Sequence, residues 1–486
     1  MNNEQTPSPQ RQPSWAVSLI PFAFLIVAMV LVVRFFGADA LSGGSQVALL
    51  ASSAIAAGIA MAAYKTPWSR IDEAISKNIK AISSAIIILV LIGAISGTWM
   101  VSGIVPTLIY YGLNVISPKI FLFACCIICA LVSIMTGSSW TTIATIGVAL
   151  LGIGSALGYS EGWTAGAIIS GAYFGDKISP LSDTTVLASS SAGTPLFEHI
   201  RYMMFTTVPS FTIAAVVFLV VSILHPSMDA SQTQSMAEGL KSAFNITPWL
   251  LIVPVLTGVL IARKVPAMIT LFLAALMASI AGLVAQGDII TQIGGGQALD
   301  FSTAFRGTMI SIYDSTAIQT GNEALNDLVS TGGMNGMLPT IFLIVCAATF
   351  GGVMVGTGMI QSITALLTRK LKSRVGVVSG TVVTGIASNM LTGDQYLSIL
   401  MVSSLYKRLY KDQGFEPRLL SRSAEDSATV TSVLIPWNSC GMTQATVLHV
   451  PTLTYLPYCI FNLISPLMSI LMAAIGYKIV RTVKEK

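Results

Sequence analysis

The sequence predicts an all-α polytopic membrane protein: inverted repeats, about ten transmembrane helices, two re-entrant helical hairpins and Pro-broken helices. Three observations predict it. Of 486 residues, 53% are hydrophobic and only 10% charged, against about 25% charged in soluble domains. Charge-free runs recur along the chain, many near the roughly 20 residues that a crossing helix needs. The two halves also match in order at an offset of about 250 residues. With a mean hydropathy of +0.77, this excludes a soluble enzyme, a nucleic-acid binder and a disordered scaffold.

The elements follow in order. Residues 1–14 are polar and read as a cytoplasmic tail. The apolar run 15–33 exceeds the about 7–15 residues of a signal-peptide core, so a retained helix is expected over 15–36. Further helices are expected at 45–64, 81–112, 164–190, 202–224, 248–263, 266–286, 337–366, 423–440 and 452–480. Two longer blocks remain, 120–160 without charge and 375–408 with one acid, Asp394. Each has a polar, Gly-containing interruption: Thr136-Gly137-Ser138-Ser139 and Thr392-Gly393-Asp394-Gln395. Arms of about 16 residues are short for a span, so each block reads as a re-entrant hairpin. Such backbone is tolerated at depth only inside protein or along a cavity. The two tips are expected to approach each other near the midplane.

Lys and Arg set the orientation. With the N-terminus inside, the basic clusters in 65–80, 263–264, 369–374 and 407–422 fall on one side, and Arg34, Lys119, Lys241 and Arg306 are the exceptions. The expected layout is a tail at 1–14, a first inverted repeat at 15–224 and an external linker at 225–247. A second repeat follows at 248–480 and a cytoplasmic tail at 481–486. Both termini are then cytoplasmic, in a multi-pass protein of the inner (plasma) membrane. The stretch 287–336 is expected to be an external loop.

In the repeat, Gly103-Ile104 matches Gly358-Met359, Thr136-Gly137 matches Thr392-Gly393, and Asp176 falls opposite Asp426. Val186-Leu187 matches Val433-Leu434, and Gly193 matches Gly441. The first hairpin enters from outside and the second from inside, an inverted arrangement that suits secondary transporters with a midplane site.

Few acids lie in the spans: Asp176, Asp183, Asp394 and Asp426, with Glu425 beside the last. Each costs about 2.5–3.5 kcal/mol at a helix centre, which points to function. A blander alternative has Asp176 and Lys177 neutralising each other, with Asp426 at the inner interface. Asp183 follows Pro180, which breaks the helix and frees carbonyls, and Ser179, Ser182, Thr184 and Thr185 add hydroxyls. An oxygen-rich break with a carboxylate suits Na⁺. The other half offers Thr429 to Ser432 and then Ile435-Pro436-Trp437-Asn438. The ion-binding candidates are therefore Asp183, Thr184, Thr185, Ser182, Asp394, Asp176, Asp426, Thr136, Ser138 and Asn438. Asp183 and Asp394 are expected to surround one Na⁺ region. The six cysteines all lie in apolar stretches and read as core residues, not metal ligands, and no cofactor is expected.

The stretch Gly171-Ala-Tyr-Phe-Gly-Asp-Lys-Ile-Ser-Pro-Leu-Ser-Asp-Thr-Thr185 resembles the signature of the NhaC-type sodium/proton antiporters. So do Thr136-Gly-Ser-Ser-Trp140, Leu391-Thr-Gly-Asp-Gln-Tyr-Leu-Ser398 and Ile435-Pro-Trp-Asn438, and the resemblance runs from about Trp68 to Tyr477. It implies Na⁺/H⁺ exchange and, in some members, exchange coupled to small carboxylates such as malate and lactate. Two positions depart from the family pattern. Val186-Leu-Ala-Ser189 stands where Asn-Leu-Ala-Pro is common, and Val433 stands where Pro is usual.

The leading expectation is an antiporter in which one carboxylate holds either Na⁺ or H⁺. Such an acid has to titrate near the working pH, so its surroundings must disfavour its charged form. The alternative is a carboxylate exchanger driven by the same ions, with Lys177 as the basic candidate. An intramembrane aspartyl protease would use Asp176 and Asp394. The second of these lacks a Gly-x-Gly-Asp form, and proteolysis gives no reason for inverted repeats, so no enzyme is expected. The sequence does not fix an oligomeric state, and a homo-oligomer stays open.

Overall fold

The computed structural model describes residues 13–36, 43–224, 230–263, 265–318, 326, 329–368, 371 and 373–479. Most of the tail at 1–14, residues 225–229 of the linker, the tail at 481–486 and the basic residues Lys264, Arg369, Lys370 and Lys372 lie outside the described residues.

The first half opens with α1 (Trp15–Phe36), α2 (Gly44–Tyr64), α3 (Trp68–Val101) and α4 (Ile104–Val115). The helix expected at 81–112 starts earlier, at Trp68, and breaks after Val101. Gly103 takes a left-handed φ of 79° there and accommodates the turn. The block 120–160 folds as α5 (Phe121–Thr136) and α6 (Ser139–Ala156), the latter containing a π turn at Ile143–Gly147. The Pro-broken segment gives α7 (Glu161–Ile178) and α8 (Asp183–Ala192), followed by α9 (Leu196–Leu224).

The linker carries α10 (Ala230–Ala243), and then come α11 (Ile252–Ala262) and α12 (Ala267–Ala285). The stretch expected as an external loop, 287–336, contains two helices, α13 (Gly287–Gly294) and α14 (Phe301–Tyr313). They pack because small residues allow backbone contact. A Cβ on Gly307 would meet the Ile290 carbonyl oxygen at 2.2 Å, and one on Gly97 of α3 would meet that of Ser311 at 2.1 Å.

The second half comprises α15 (Leu338–Gly356), α16 (Met359–Thr368), α17 (Arg374–Thr392) and α18 (Gln395–Asp412). It continues with α19 (Pro417–Ala424), a π turn at Glu425–Thr429, and α20 (Ser439–Leu448). α21 (Thr452–Tyr455) and α22 (Ile460–Ile475) complete it. Among the described residues, nine helices are long and apolar enough to cross a membrane, or up to eleven if each of two bent pairs is one span. Both α5 with its preceding turn (Pro118–Thr136, 19 residues) and α17 (19 residues) exceed the arm length expected from sequence. Length alone therefore does not mark these arms as re-entrant.

The two hairpin tips are built alike. Gly137 and Gly393 both sit at φ 66°, ending α5 and α17. The Thr136 hydroxyl accepts from Ser138 N–H at 3.2 Å, and the Thr392 hydroxyl accepts from Asp394 N–H at 3.2 Å. Ser138 then caps α6 by accepting from Thr141 N–H, while Asp394 caps α18 by accepting from Leu397 N–H. The offset is 256 positions (136 to 392), and it continues past the tips. Ser133 donates to the Ala172 carbonyl, as Asn389 does to that of Ala428. Ser139 bonds Asp176, as Ser432 bonds Gln395. Ser182 caps α8, as Asn438 caps α20.

This register corrects part of the sequence match. Asp176 pairs with Ser432, not with Asp426. Gly193 pairs with His449, each the left-handed cap of its helix, and not with Gly441. Val433-Leu434 lies in a turn before the second break, whereas Val186-Leu187 lies in the helix after the first. The apolar dipeptide carried too little information to hold the alignment.

Candidate functional site: a cavity at the two hairpin tips

The glycines of Gly171-Ala-Tyr-Phe-Gly175 let α5 lie directly on α7. A Cβ on Gly171 would meet the Cys126 carbonyl oxygen at 2.1 Å, and one on Gly175 that of Ala130 at 2.3 Å. That close packing carries the first tip to the end of α7. There a Cβ on Gly137 would meet Leu181 of the break at 2.6 Å. Nearly every residue of α7 is buried, so Asp176 and Lys177 emerge in the protein interior.

A cavity of about 480 Å³ opens at this junction. Thr136, Gly137 and Ser138 of the first tip line it, together with Gln395 of the second and Tyr396 just after it. Both tips thus reach one cavity. Ser84 of α3 and Thr270 of α12 close the far wall. Asp176 and Asp183 are its two charged residues.

Asp176 is 6% exposed. Its Oδ2 accepts from the Ser139 N–H at 3.0 Å and the Ser139 hydroxyl at 2.7 Å, while Oδ1 has no hydrogen-bond partner. Asp183 is exposed to the cavity at the start of α8. Its Oδ2 accepts from the Tyr396 hydroxyl at 2.7 Å and its Oδ1 from Thr184 N–H at 2.9 Å. Thr136 and Ser138 add neutral oxygens to the same wall.

The other candidates lie elsewhere. Asp394 is not among the residues lining the cavity. It is buried, with Oδ1 on Leu397 N–H and Oδ2 accepting from the Ser439 hydroxyl at 3.2 Å. The carboxylates that line the cavity are therefore Asp176 and Asp183, while helix capping holds the Asp394 carboxylate against its own helix. Asn438 is buried and bonds Cys440 N–H and the Asn389 carbonyl, holding the second break together.

Asp426 belongs to a separate buried cluster. It forms an ion pair with Lys177, both fully buried, and accepts from the Thr206 hydroxyl at 3.1 Å. Lys177 therefore does not neutralise Asp176, and Asp426 is not at a surface. α7 turns its two consecutive charges in different directions, one to the cavity and one to the cluster. Arg422 lies in the cluster with its Nε 4.0 Å from Asp426 Oδ2, and its guanidinium stacks 4.7 Å from the Tyr202 ring centroid. Glu425, in the π turn, accepts from Thr184 at 3.3 Å, Thr185 at 3.4 Å and Thr429 at 2.9 Å. Thr184 and Thr185 thus turn their hydroxyls to Glu425 and do not line the cavity.

Sequence reasoning passed over Tyr396, as well as Ser139 as the partner of Asp176. Ser139 is the last residue of the first tip motif and Tyr396 directly follows the second, so the signal was position at a recognised turn. Arg422 had only its proximity to Asp426 to mark it.

The profile of the Na⁺/H⁺ antiporter family matches residues 14–194 and 171–477. The chain is 38% identical over 409 residues to the Na⁺/H⁺ antiporter NhaC of Alkalihalophilus pseudofirmus, covering 84% of this chain and 86% of that one. Identity is also 38% over 409 residues with NhaC of Bacillus subtilis, covering 84% and 87%. It is 37% over 397 residues with the malate-2H⁺/Na⁺-lactate antiporter of Bacillus subtilis, covering 81% of each. With most of its length matched by profile and relatives alike, this multi-pass membrane protein belongs to the Na⁺/H⁺ antiporter family.

Proposed function

We propose that the protein exchanges Na⁺ for H⁺ across the inner membrane, with Na⁺ bound in the cavity between Asp176 and Asp183. The observation that carries this reading is the charge of the wall: two carboxylates and no basic residue among those lining it. A wall of that kind attracts a cation and repels a free organic anion. Hydroxyls of Thr136, Ser138 and Thr141 complete an oxygen-rich lining suited to a hard ion. Relatives named as Na⁺/H⁺ antiporters support the same exchange.

In this reading the halves are inverted repeats over 15–224 and 248–480, joined by an external linker at 225–247. Both termini are cytoplasmic, and the hairpins are re-entrant with their tips meeting the helix breaks. The shared turn geometry of the tips supports the repeat, and the sidedness of Lys and Arg supports the orientation.

The carboxylate-exchange alternative draws support from the malate/lactate relative and from a cavity larger than one Na⁺. Lys177, its expected basic partner, is instead paired with Asp426. Flux into everted vesicles tests both. Na⁺ should dissipate a proton gradient without added organic acid. Movement that requires malate or lactate would instead support the alternative.

A further inference from the structure

Behind the cavity wall, the cluster around Glu425 contains a feature that Na⁺ binding does not require. Glu425 is fully buried, yet both its oxygens face hydroxyl groups. Its Oε1 lies 3.3 Å from the Thr184 hydroxyl and 3.4 Å from that of Thr185. Each of these hydroxyls has a second acceptor for its hydrogen. Thr184 lies 3.0 Å from the Ser182 hydroxyl oxygen, and Thr185 lies 3.0 Å from the Lys177 carbonyl.

Two hydrogen-bond patterns therefore fit the same heavy atoms. When Glu425 is ionised, Thr184 and Thr185 turn their hydrogens toward it. When it is protonated, they turn them to Ser182 and Lys177, and the Glu425 O–H donates to a threonine oxygen. In both protonation states the two Glu425 oxygens keep a hydrogen-bond partner. The charged groups near enough to act on Glu425 are Lys177, Asp176 and Asp426. Lys177 and Asp426 compensate each other as an ion pair, and Arg422 is the remaining cation. The π turn that holds Glu425 is itself a local widening of the helix of the kind found at functional positions.

We infer that Glu425 is the proton-carrying group, one residue behind the wall on which Asp183 helps to bind Na⁺. Thr184 links the two, since it follows Asp183 in the chain and bonds Glu425 through its side chain. The proton and the cation then occupy adjacent but different carboxylates. Coupling runs through the position of α8 rather than through competition for one oxygen pair. This inference rests on the Na⁺/H⁺ reading above.

The test uses the full chain in proteoliposomes and reads two fluxes. One is Na⁺-driven proton movement, and the other is ²²Na⁺/Na⁺ counterflow, which requires no proton step. The wild type should show both. Glu425→Gln should lower proton movement by at least about tenfold and leave counterflow within about twofold. The double variant Thr184→Val, Thr185→Val keeps the carboxylate and removes its hydroxyl partners, so it should show the same split. Proton movement at the wild-type rate in Glu425→Gln would overturn the inference. So would loss of both fluxes in a Glu425→Gln protein whose melting temperature still rises with Na⁺. If Glu425→Gln fails to fold, the double variant decides, and equal loss of both fluxes in it overturns the inference. A wild type with counterflow but no Na⁺-driven proton movement would overturn the Na⁺/H⁺ reading, and the inference with it.

Discussion

Tyr396 donates its phenolic hydrogen to Asp183 at 2.7 Å, so a residue just past the second hairpin tip holds the carboxylate at the first helix break. The bond crosses from one half of the chain to the other, 213 positions apart. In the proposed site it also occupies an oxygen that Na⁺ would otherwise use. Tyr396→Phe should free that oxygen. A hydrogen bond to a charged group contributes about 1.5–3 kcal/mol, so the KM for Na⁺ should fall by roughly tenfold or more with kcat less affected. Asp183→Asn should abolish exchange while the protein still inserts. Initial rates of ²²Na⁺ uptake against Na⁺ concentration check both, and an unchanged KM in Tyr396→Phe would remove Asp183 Oδ2 from the site.

Asp176 has one oxygen held by Ser139 and one without a partner. Asp176→Asn should abolish Na⁺ uptake. Ser139→Ala removes only the hydroxyl and leaves the backbone donor, so it should raise the KM by roughly tenfold. Equal effects of the two variants would mean that Ser139 does more than orient the carboxylate.

The Asp394 carboxylate acts as a helix cap, and asparagine caps as well as aspartate. Asp394→Asn should therefore keep the exchange rate and its pH profile. Asp394→Ala loses the cap and the Ser439 bond, a cost of about 1–2 kcal/mol, and should lower the melting temperature in detergent. A displaced pH profile in Asp394→Asn would return this acid to the ion chemistry.

Removing one partner of a buried ion pair costs about 3–5 kcal/mol, because the other charge is left alone. Lys177→Met should therefore reduce stability sharply. Lys177→Met combined with Asp426→Leu should recover much of the loss in thermal denaturation, whatever it does to transport. A double variant no more stable than the single one would show that Arg422 or Glu425 depends on the pair.

Asp300 lies outside the spans and caps α14, accepting from Thr303 N–H at 2.7 Å. That bond holds its carboxyl below the ordinary aspartate value. A lowered folded-state pKa stabilises above the unfolded value and is lost as pH falls through the folded one. Hydrogen exchange over 301–313 should therefore accelerate as pH drops below about 4, after correction for the intrinsic rate. Asp300→Ala should exchange fast at every pH.

Much of this architecture was legible because membrane burial imposes strong rules. Charge-free runs located the helices, and Thr-Gly before Ser or Asp located both tips, where the threonine hydroxyl accepts from the N–H two residues on and the glycine takes a left-handed φ. Pro180 and Pro436 located the two breaks. The partner of Lys177 was not legible, since Asp426 lies 249 positions away and adjacent Asp176 was the obvious local candidate. The direction of the Asp394 side chain was hidden for a similar reason. A carboxylate at a tip reads alike whether it faces a cavity or caps its own helix, and the bonds from Leu397 N–H and the Ser439 hydroxyl decide it. Helices α13 and α14 escaped because Gly294, Gly295 and Gly296 look like loop, while the packing that orders them comes from distant α3.

The constant register between the halves has one more consequence. At three equivalent positions an acid in one half faces a serine in the other: Asp176 and Ser432, Asp183 and Ser439, Asp394 and Ser138. The tip turn is a socket that takes either residue, since Ser138 and Asp394 make the same capping bond on the same backbone. Charge in this scaffold is thus portable. Three reciprocal exchanges of single side chains would carry all of these acids to the opposite half while leaving the turns intact.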